Sequence, residues 1–177
     1  MNKSSADEIL FKMNLEEAKD KFVQAWGNFG SSWGINKTMA QVHALLMVSS
    51  SHLSADDIME KLDISRGNAN MNIRALIDWG LAYKVQKNGE RKDFFYAEKD
   101  ICIVVRQIII NRKRIELEPA IQVLGEVQLV EEESAEKDEF IKVIQEIELF
   151  SQKADQLLEK LIKADAEWLM SVFMKII

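Results

Sequence analysis

Apolar positions follow two different periods along this chain, and the switch between them marks its organisation. Over residues 6–29 they recur at Ile9, Leu10, Met13, Leu15, Phe22, Val23 and Trp26, the spacing of an amphipathic helix. The run Gly27-Asn28-Phe29-Gly30-Ser31-Ser32-Trp33-Gly34 is the richest cluster of helix breakers and predicts a loop. Residues 37–49 predict a second helix with Met39, Val42, Leu45 and Leu46 on one face, ended by Ser49-Ser50-Ser51.

Ser54-Ala55-Asp56-Asp57 has the form of a capping box, with Asp in the place usually held by Glu or Gln. It opens a short helix to about Leu62 that should bury Ile58, Met59 and Leu62. Asp63-Ile64 makes a tight connection. Ser65 caps the next helix, which runs to Trp79 and stops at Gly80. Two short helices joined by so brief a turn form a helix-turn-helix. Beyond Gly80 the period becomes two: Leu81, Tyr83 and Val85 alternate with Ala82, Lys84 and Gln86. Asn88-Gly89 predicts a type I′ hairpin turn, with a return strand from Arg91 to Ala97. A helix-turn-helix followed at once by a two-stranded hairpin is a winged helix, so the expected fold is mainly α with a small β-wing.

Only helices are expected after Asp100. Ile101–Ile110 has the β-branched content of a strand, but its polar continuation to Glu118 and the cap-like Asp100 favour a helix. Pro119 either starts a new helix or kinks this one. Over 135–163, Phe140, Val143, Ile144, Ile147, Phe150, Ala154, Leu157, Leu158, Leu161 and Ile162 recur at steps of three and four. That stripe is long enough for coiled-coil-like packing and too apolar to leave in water. Residues 166–177 read as a last apolar helix. The expected organisation is a helix and Gly/Trp loop over 1–34, a winged helix-turn-helix over 35–99, and a helical dimerisation and effector region over 100–177.

The chain has 177 residues, 47% hydrophobic and 29% charged, enough for one domain and an appended helical element. No uncharged apolar run reaches the roughly 18 residues of a membrane span. The N-terminus shows no signal-peptide core, and the lone Cys102 supports neither a disulfide framework nor a zinc cluster. These features lead to the expectation of a cytoplasmic protein without cofactor or membrane partner. The net charge of −6 argues against a polyanionic partner until its distribution is read. Residues 61–92 carry seven Lys/Arg against three Asp/Glu, and residues 116–167 five Lys against fifteen Asp/Glu. Salt screens charge over roughly 8–10 Å, so a basic segment acts locally.

At 100° per residue, Ala69, Ile73, Leu76 and Ile77 of the second helix share one face and belong in the core. The opposite face carries Gly67, Asn70, Met71, Arg74 and Asp78, flanked near its start by Arg66 and Asn68. Arg can fork onto guanine and Asn onto adenine in a major groove. Ser65 and the free N–H groups beside it could hold a phosphate. The hairpin adds Lys84, Lys87, Arg91 and Lys92, with Asn88 at its tip, suited to straddle a phosphate backbone or enter a minor groove. Sequence-specific binding of double-stranded DNA is therefore expected. The alternative is a winged-helix adaptor that binds another protein, in which these are ordinary solvated charges.

The string from Ile64 to Leu81 (ISRGNANMNIRALIDWGL) and the hairpin from Asn88 to Tyr96 (NGERKDFFY) resemble the GbsR branch of the MarR-type winged-helix regulators. So do Trp26-Gly27, Gly30 and Gly34 and the Leu53–Leu62 helix; together the resemblance spans roughly residues 15–115. It implies a homodimer on a palindromic operator, dimer contacts from N- and C-terminal helices, and steric repression as the commoner outcome. Some members of that branch sense choline or related osmolytes, but no short motif carries a pocket over to residues here.

Trp26, Phe29 and Trp33 could cage a quaternary ammonium effector, or pack the junction between the first helix and the core. His43 and His52 have no third partner at metal-ligand spacing. Cys102 reads as an inert buried thiol, unless Arg106 beside it favours a thiolate. The carboxylates of 131–139 read as solvated surface. With no phosphate-cradling loop, nucleophile elbow or metal motif, an enzyme is not expected.

Overall fold

The computed structural model describes residues 13–165. The start of the helix expected from residue 6 and the helix expected over 166–177 lie outside the described residues. The chain divides into two units, Met1–Ala97 and Glu98–Ile177.

In the first unit, α1 (Leu15–Ser32) opens with a complete capping box: the Asn14 side chain accepts from the Glu17 amide, and the Glu17 carboxylate accepts from the Asn14 amide. The helix then runs straight through the segment expected to be a loop. Gly27 and Gly30 are buried where α1 packs on α2 (Lys37–Val48). A Cβ on Gly27 would stand 2.5 Å from Gln41 Cγ, and one on Gly30 would stand 2.7 Å from Ala40 Cβ. The two backbones approach too closely for a side chain, and that packing outweighs the poor helix propensity of glycine. The true stop is Gly34 at φ 75°. There the Gly34 and Ile35 amides return to the Ser31 and Gly30 carbonyls at 3.0 and 2.9 Å, a Schellman ending.

Next come β1 (Leu53–Ser54), α3 (Ala55–Leu62), α4 (Arg66–Asp78), β2 (Ala82–Gln86) and β3 (Asp93–Ala97). The Ser54/Asp57 capping box forms as expected, and Ser65 caps α4 by accepting from the Asn68 amide. Between the helices Asp63 turns the chain at φ 51°. Gly80, at φ 70°, closes α4 with a second Schellman ending. Ile58, Ala69, Ile73 and Leu76 are at most 2% exposed and form the core with Val42, Ala44 and Leu46 of α2. Met59, Leu62 and Ile77, also expected inside, are only half-buried.

The strands form one antiparallel sheet in the order β1-β3-β2. The pairing of Leu53 with Phe95 adds a strand that two residues of sequence could not announce. The hairpin departs from expectation in three ways. Asp63 is the one non-glycine residue with positive φ among the described residues, so Asn88 does not adopt the type I′ geometry. Gly89 alone has positive φ, at 84°, and the Glu90 amide bonds to the Lys87 carbonyl at 3.1 Å, which suits a type II turn. The return strand starts at Asp93 rather than Arg91, because Gln86 pairs with Asp93 and residues 87–92 form a longer loop. Tyr83 is exposed and its ring lies tilted against that of Tyr96 across the strands, so the inward residues of β2 are not the simple alternating set. The outcome is nonetheless the mainly α winged helix that the pattern predicts.

In the second unit Asp100 caps α5 (Ile101–Arg112), accepting from the Cys102 and Ile103 amides. α5 leads into a five-residue π-helical stretch, Lys113–Leu117, and then α6 (Glu118–Glu126), with Pro119 in its first turn. Proline has no N–H to donate back to the preceding turn. The Glu118 amide instead reaches the Lys113 carbonyl, five residues back, and the helix passes the proline by widening rather than ending. The Glu131–Glu133 run is exposed in the connection to α7 (Ala135–Lys163), which Ser134 caps. Lys113 is largely buried among Glu118, Asp155 and Glu159 at 2.7, 3.0 and 3.3 Å. Those carboxylates, Glu118 first and then Asp155, push its pKa upward.

Candidate nucleic-acid interface

α4 with its N-cap and the β2–β3 hairpin supply the residues singled out for polyanion binding. On α4, Arg66, Gly67, Met71 and Arg74 are exposed, and Asn68 and Asn70 are half-buried. A Cβ built on Gly67 would meet nothing within 4 Å, so the backbone is open to a close approach there. Ser65 is exposed, but its Oγ is already occupied by the Asn68 amide at 3.3 Å. Asn68 in turn is held: Asn72, which is buried, donates Nδ2 to the Asn68 carbonyl and to its Oδ1 at 2.8 and 2.7 Å. Nothing in the sequence pattern marks Asn72 for this surface. Its place on the inner side of α4 makes it a fixing residue for Asn68.

On the hairpin, Lys87, Asn88, Arg91 and Lys92 are exposed in the loop, and Lys84 lies on β2. Lys87 Nζ sits 3.8 Å over the ring of Phe94, a cation–π contact that places its charge beside the sheet. Lys84 pairs with Asp93 at 2.8 Å, and this pairing holds the Asp93 carboxyl below its usual range.

Asp56, the second residue of α3, joins the two parts. It accepts from Arg66 at 2.6 Å and from Lys92 at 3.1 Å, so one carboxylate ties the start of α4 to the base of the loop. The bond to Lys92 is the main cause of its lowered pKa, with Arg66 second. The Arg66 and Lys92 side chains are 67% and 62% exposed and that of Asp56 is 42% exposed. Such solvated pairs are weak, and phosphate oxygens can compete for both cations. The sequence pattern does not mark Asp56 either. The sequence shows two acids in the first turn of α3, and the capping box accounts only for Asp57.

The aromatic residues suggested for an effector lie elsewhere in the same unit. Trp26 and Phe29 of α1 and Trp33 at its C-cap follow one another with ring centroids 5.9 and 5.5 Å apart. Phe29 and Trp33 are exposed, whereas Trp26 also meets the buried His43 at 6.4 Å. Cys102 is half-buried in the second unit, where the Arg106 guanidinium donates to the Ala164 carbonyl at 2.7 Å. Among the described residues no group of three or more His, Cys, Asp or Glu could hold a metal ion. No helix among them is long and apolar enough to cross a membrane.

Helix-turn-helix, paired hairpin and flanking helices define a winged-helix protein. Comparison with known proteins agrees. The chain is 23% identical over 86 residues to the "Putative HTH-type transcriptional regulator YvaV" of Bacillus subtilis (strain 168). That match covers 49% of this chain and 49% of the Bacillus protein, about half of each. A crystal structure described as that of a transcriptional regulator superposes with a TM-score of 0.60 at 15% identity, covering 82% of this chain and 95% of that one. No family model matches the sequence. Sequence and fold thus both resemble helix-turn-helix transcriptional regulators.

Proposed function

We propose that this chain is a sequence-specific DNA-binding transcriptional regulator of the GbsR-like kind, acting as a homodimer and repressing by occupying its operator. One observation carries the reading: exposed Arg66 and half-buried Asn68 and Asn70, all in the first two turns of α4, share one end of the helix with the cationic hairpin loop, Asp56 linking Arg66 to Lys92 of that loop. A helix so equipped suits major-groove reading, and the loop suits phosphates on either side of it. Two such helices about one DNA turn apart, ~34 Å, would meet successive major grooves of a palindrome. An effector would act by changing that spacing, through unequal affinity for two dimer states.

The test is binding of duplexes from the promoter upstream of its own gene, followed by fluorescence anisotropy. Lys87→Ala and Arg91→Ala should weaken specific and unrelated duplexes by similar factors. Arg66→Ala and Asn70→Ala should erode the preference between them, by about 5- to 100-fold per good base contact. Loop and helix variants that behave alike would refute this division of roles. A second reading, a protein-binding adaptor, draws on Met71, an apolar side chain 58% exposed in the middle of the reading face. That reading expects no retarded duplex at any sequence.

A further inference from the structure

We infer that α7 pairs with the α7 of a second copy of this chain, antiparallel and in one register. The inference rests on the homodimer proposed above and says what joins it. α7 carries two apolar stripes. Ile141, Ile144, Leu158 and Ile162 are half-buried on the side that packs within the C-terminal unit. Phe140, Val143, Ile147, Phe150 and Leu157 form the other stripe, 43% to 74% exposed. With Ala154 and Leu161 this second stripe occupies the a and d positions of three heptads, a seam about 32 Å long. Isolated exposed apolar residues are ordinary; a continuous seam of them calls for a cover.

The charges along the seam's outer rim identify the cover. The g positions are Glu139, Glu146, Lys153 and Lys160, all exposed and in no ion pair among the described residues. They are acidic in the first half of the seam and basic in the second. In a parallel pair each g residue would face an e position of the partner, and those positions here are Ile144, Ser151 and Leu158, which carry no charge. In an antiparallel pair g faces g. With Ile147 opposite the partner's Phe150 and Phe140 opposite the partner's Leu157, Glu146 falls beside the partner's Lys153 and Glu139 beside the partner's Lys160. The two-fold axis repeats both pairs. A slide of one heptad in one direction sets Lys153 against its twin, and in the other direction Glu146 against its twin. Opposite charge therefore selects a single register, and a second copy is the occupant that supplies it.

Sedimentation of the full chain without DNA, near neutral pH and at low salt, is the test. The wild type should run at twice its monomer mass. Glu146→Lys should raise the dimer dissociation constant about tenfold, because two attractive rim pairs become repulsive. Lys153→Glu should do the same. The double reversal should return the constant to within about threefold of wild type. Phe150→Lys should give a monomer, and the surface charge variants keep the test decisive should that chain not fold. A monomeric wild type overturns the pairing, as does a dimer that ignores the charge reversals or is not restored by combining them. Variants that follow this pattern while the wild type binds no DNA would support the seam and refute the DNA reading alone.

Discussion

At the scale of single residues, one carboxylate is held between two exposed cations on the candidate surface. Asp56 holds Arg66 and Lys92 in that way, and its negative charge opposes any polyanion that approaches them. Asp56→Asn should therefore raise affinity for duplexes of any sequence by roughly three- to tenfold, and narrow the gap between specific and unrelated DNA. Anisotropy titrations on both duplexes measure this. Weaker binding to both would mean that the bridge mainly holds helix and loop in place. His43 makes a different prediction. It is 3% exposed, and its Nε2 has no hydrogen-bond partner. Burial lowers its pKa from 6.5 to about 4. An unfolded chain binds this proton below about pH 6.5 and the folded chain only near pH 4, so the His43 contribution is intact above pH 6.5 and lost as the pH falls toward 4. Between pH 7.5 and 4.5 the loss is on the order of 2–3 kcal/mol. His43→Met should flatten urea-derived stability over that range by about this amount; an unchanged pH profile would mean that the imidazole is hydrated when folded. Neither role was legible in the sequence. The outward turn of Asp56 depends on three elements meeting, and the burial of His43 on the packing of α1 over α2.

At the scale of elements, local signals succeeded where a chain segment decides its own conformation and failed where a neighbour decides it. Both capping residues of the helix-turn-helix, Ser54 and Ser65, and its terminal Gly80 act within a few residues of themselves, and all three roles are legible in the sequence. Gly27 and Gly30 carry the same local message as Gly80 but answer to α2. Gly30→Ala makes the distinction measurable. In a free helix the change would stabilise by about 1 kcal/mol. Here the new methyl would stand 2.7 Å from Ala40 Cβ, and prising two packed helices apart typically costs 1–3 kcal/mol. A net loss of up to about 2 kcal/mol is expected in thermal or urea melts, largely recovered by adding Ala40→Gly. A variant at least as stable as wild type would show that the crossing has room to spare. The hairpin loop and the two-residue strand β1 belong with the glycines, since both are set by the register on β3, a central strand whose second neighbour is nearly invisible locally. α7 shows the same limit at greater length: its two interleaved stripes read as one from sequence, and burial separates them.

For the whole molecule, charge segregation was the most legible feature, because the basic and acidic blocks are contiguous in sequence. A chain of net charge −6 should still bind duplex DNA with the salt dependence of a cation. The slope of log affinity against log salt is roughly −0.9 per phosphate neutralised on B-DNA. Of the six cations on the candidate surface, Arg66, Lys84 and Lys92 are paired with Asp56 or Asp93. A paired cation that exchanges its carboxylate for a phosphate releases counterions from the DNA, but leaves an acid that gathers cations back. Arg74, Lys87 and Arg91 carry no such offset. One phosphate for each of these three in both subunits of a dimer predicts a slope near −5, and Asp56→Asn should steepen it by freeing Arg66 and Lys92 of their cost. A slope shallower than about −2 would place the contacts outside this surface and leave the adaptor reading in possession of the fold.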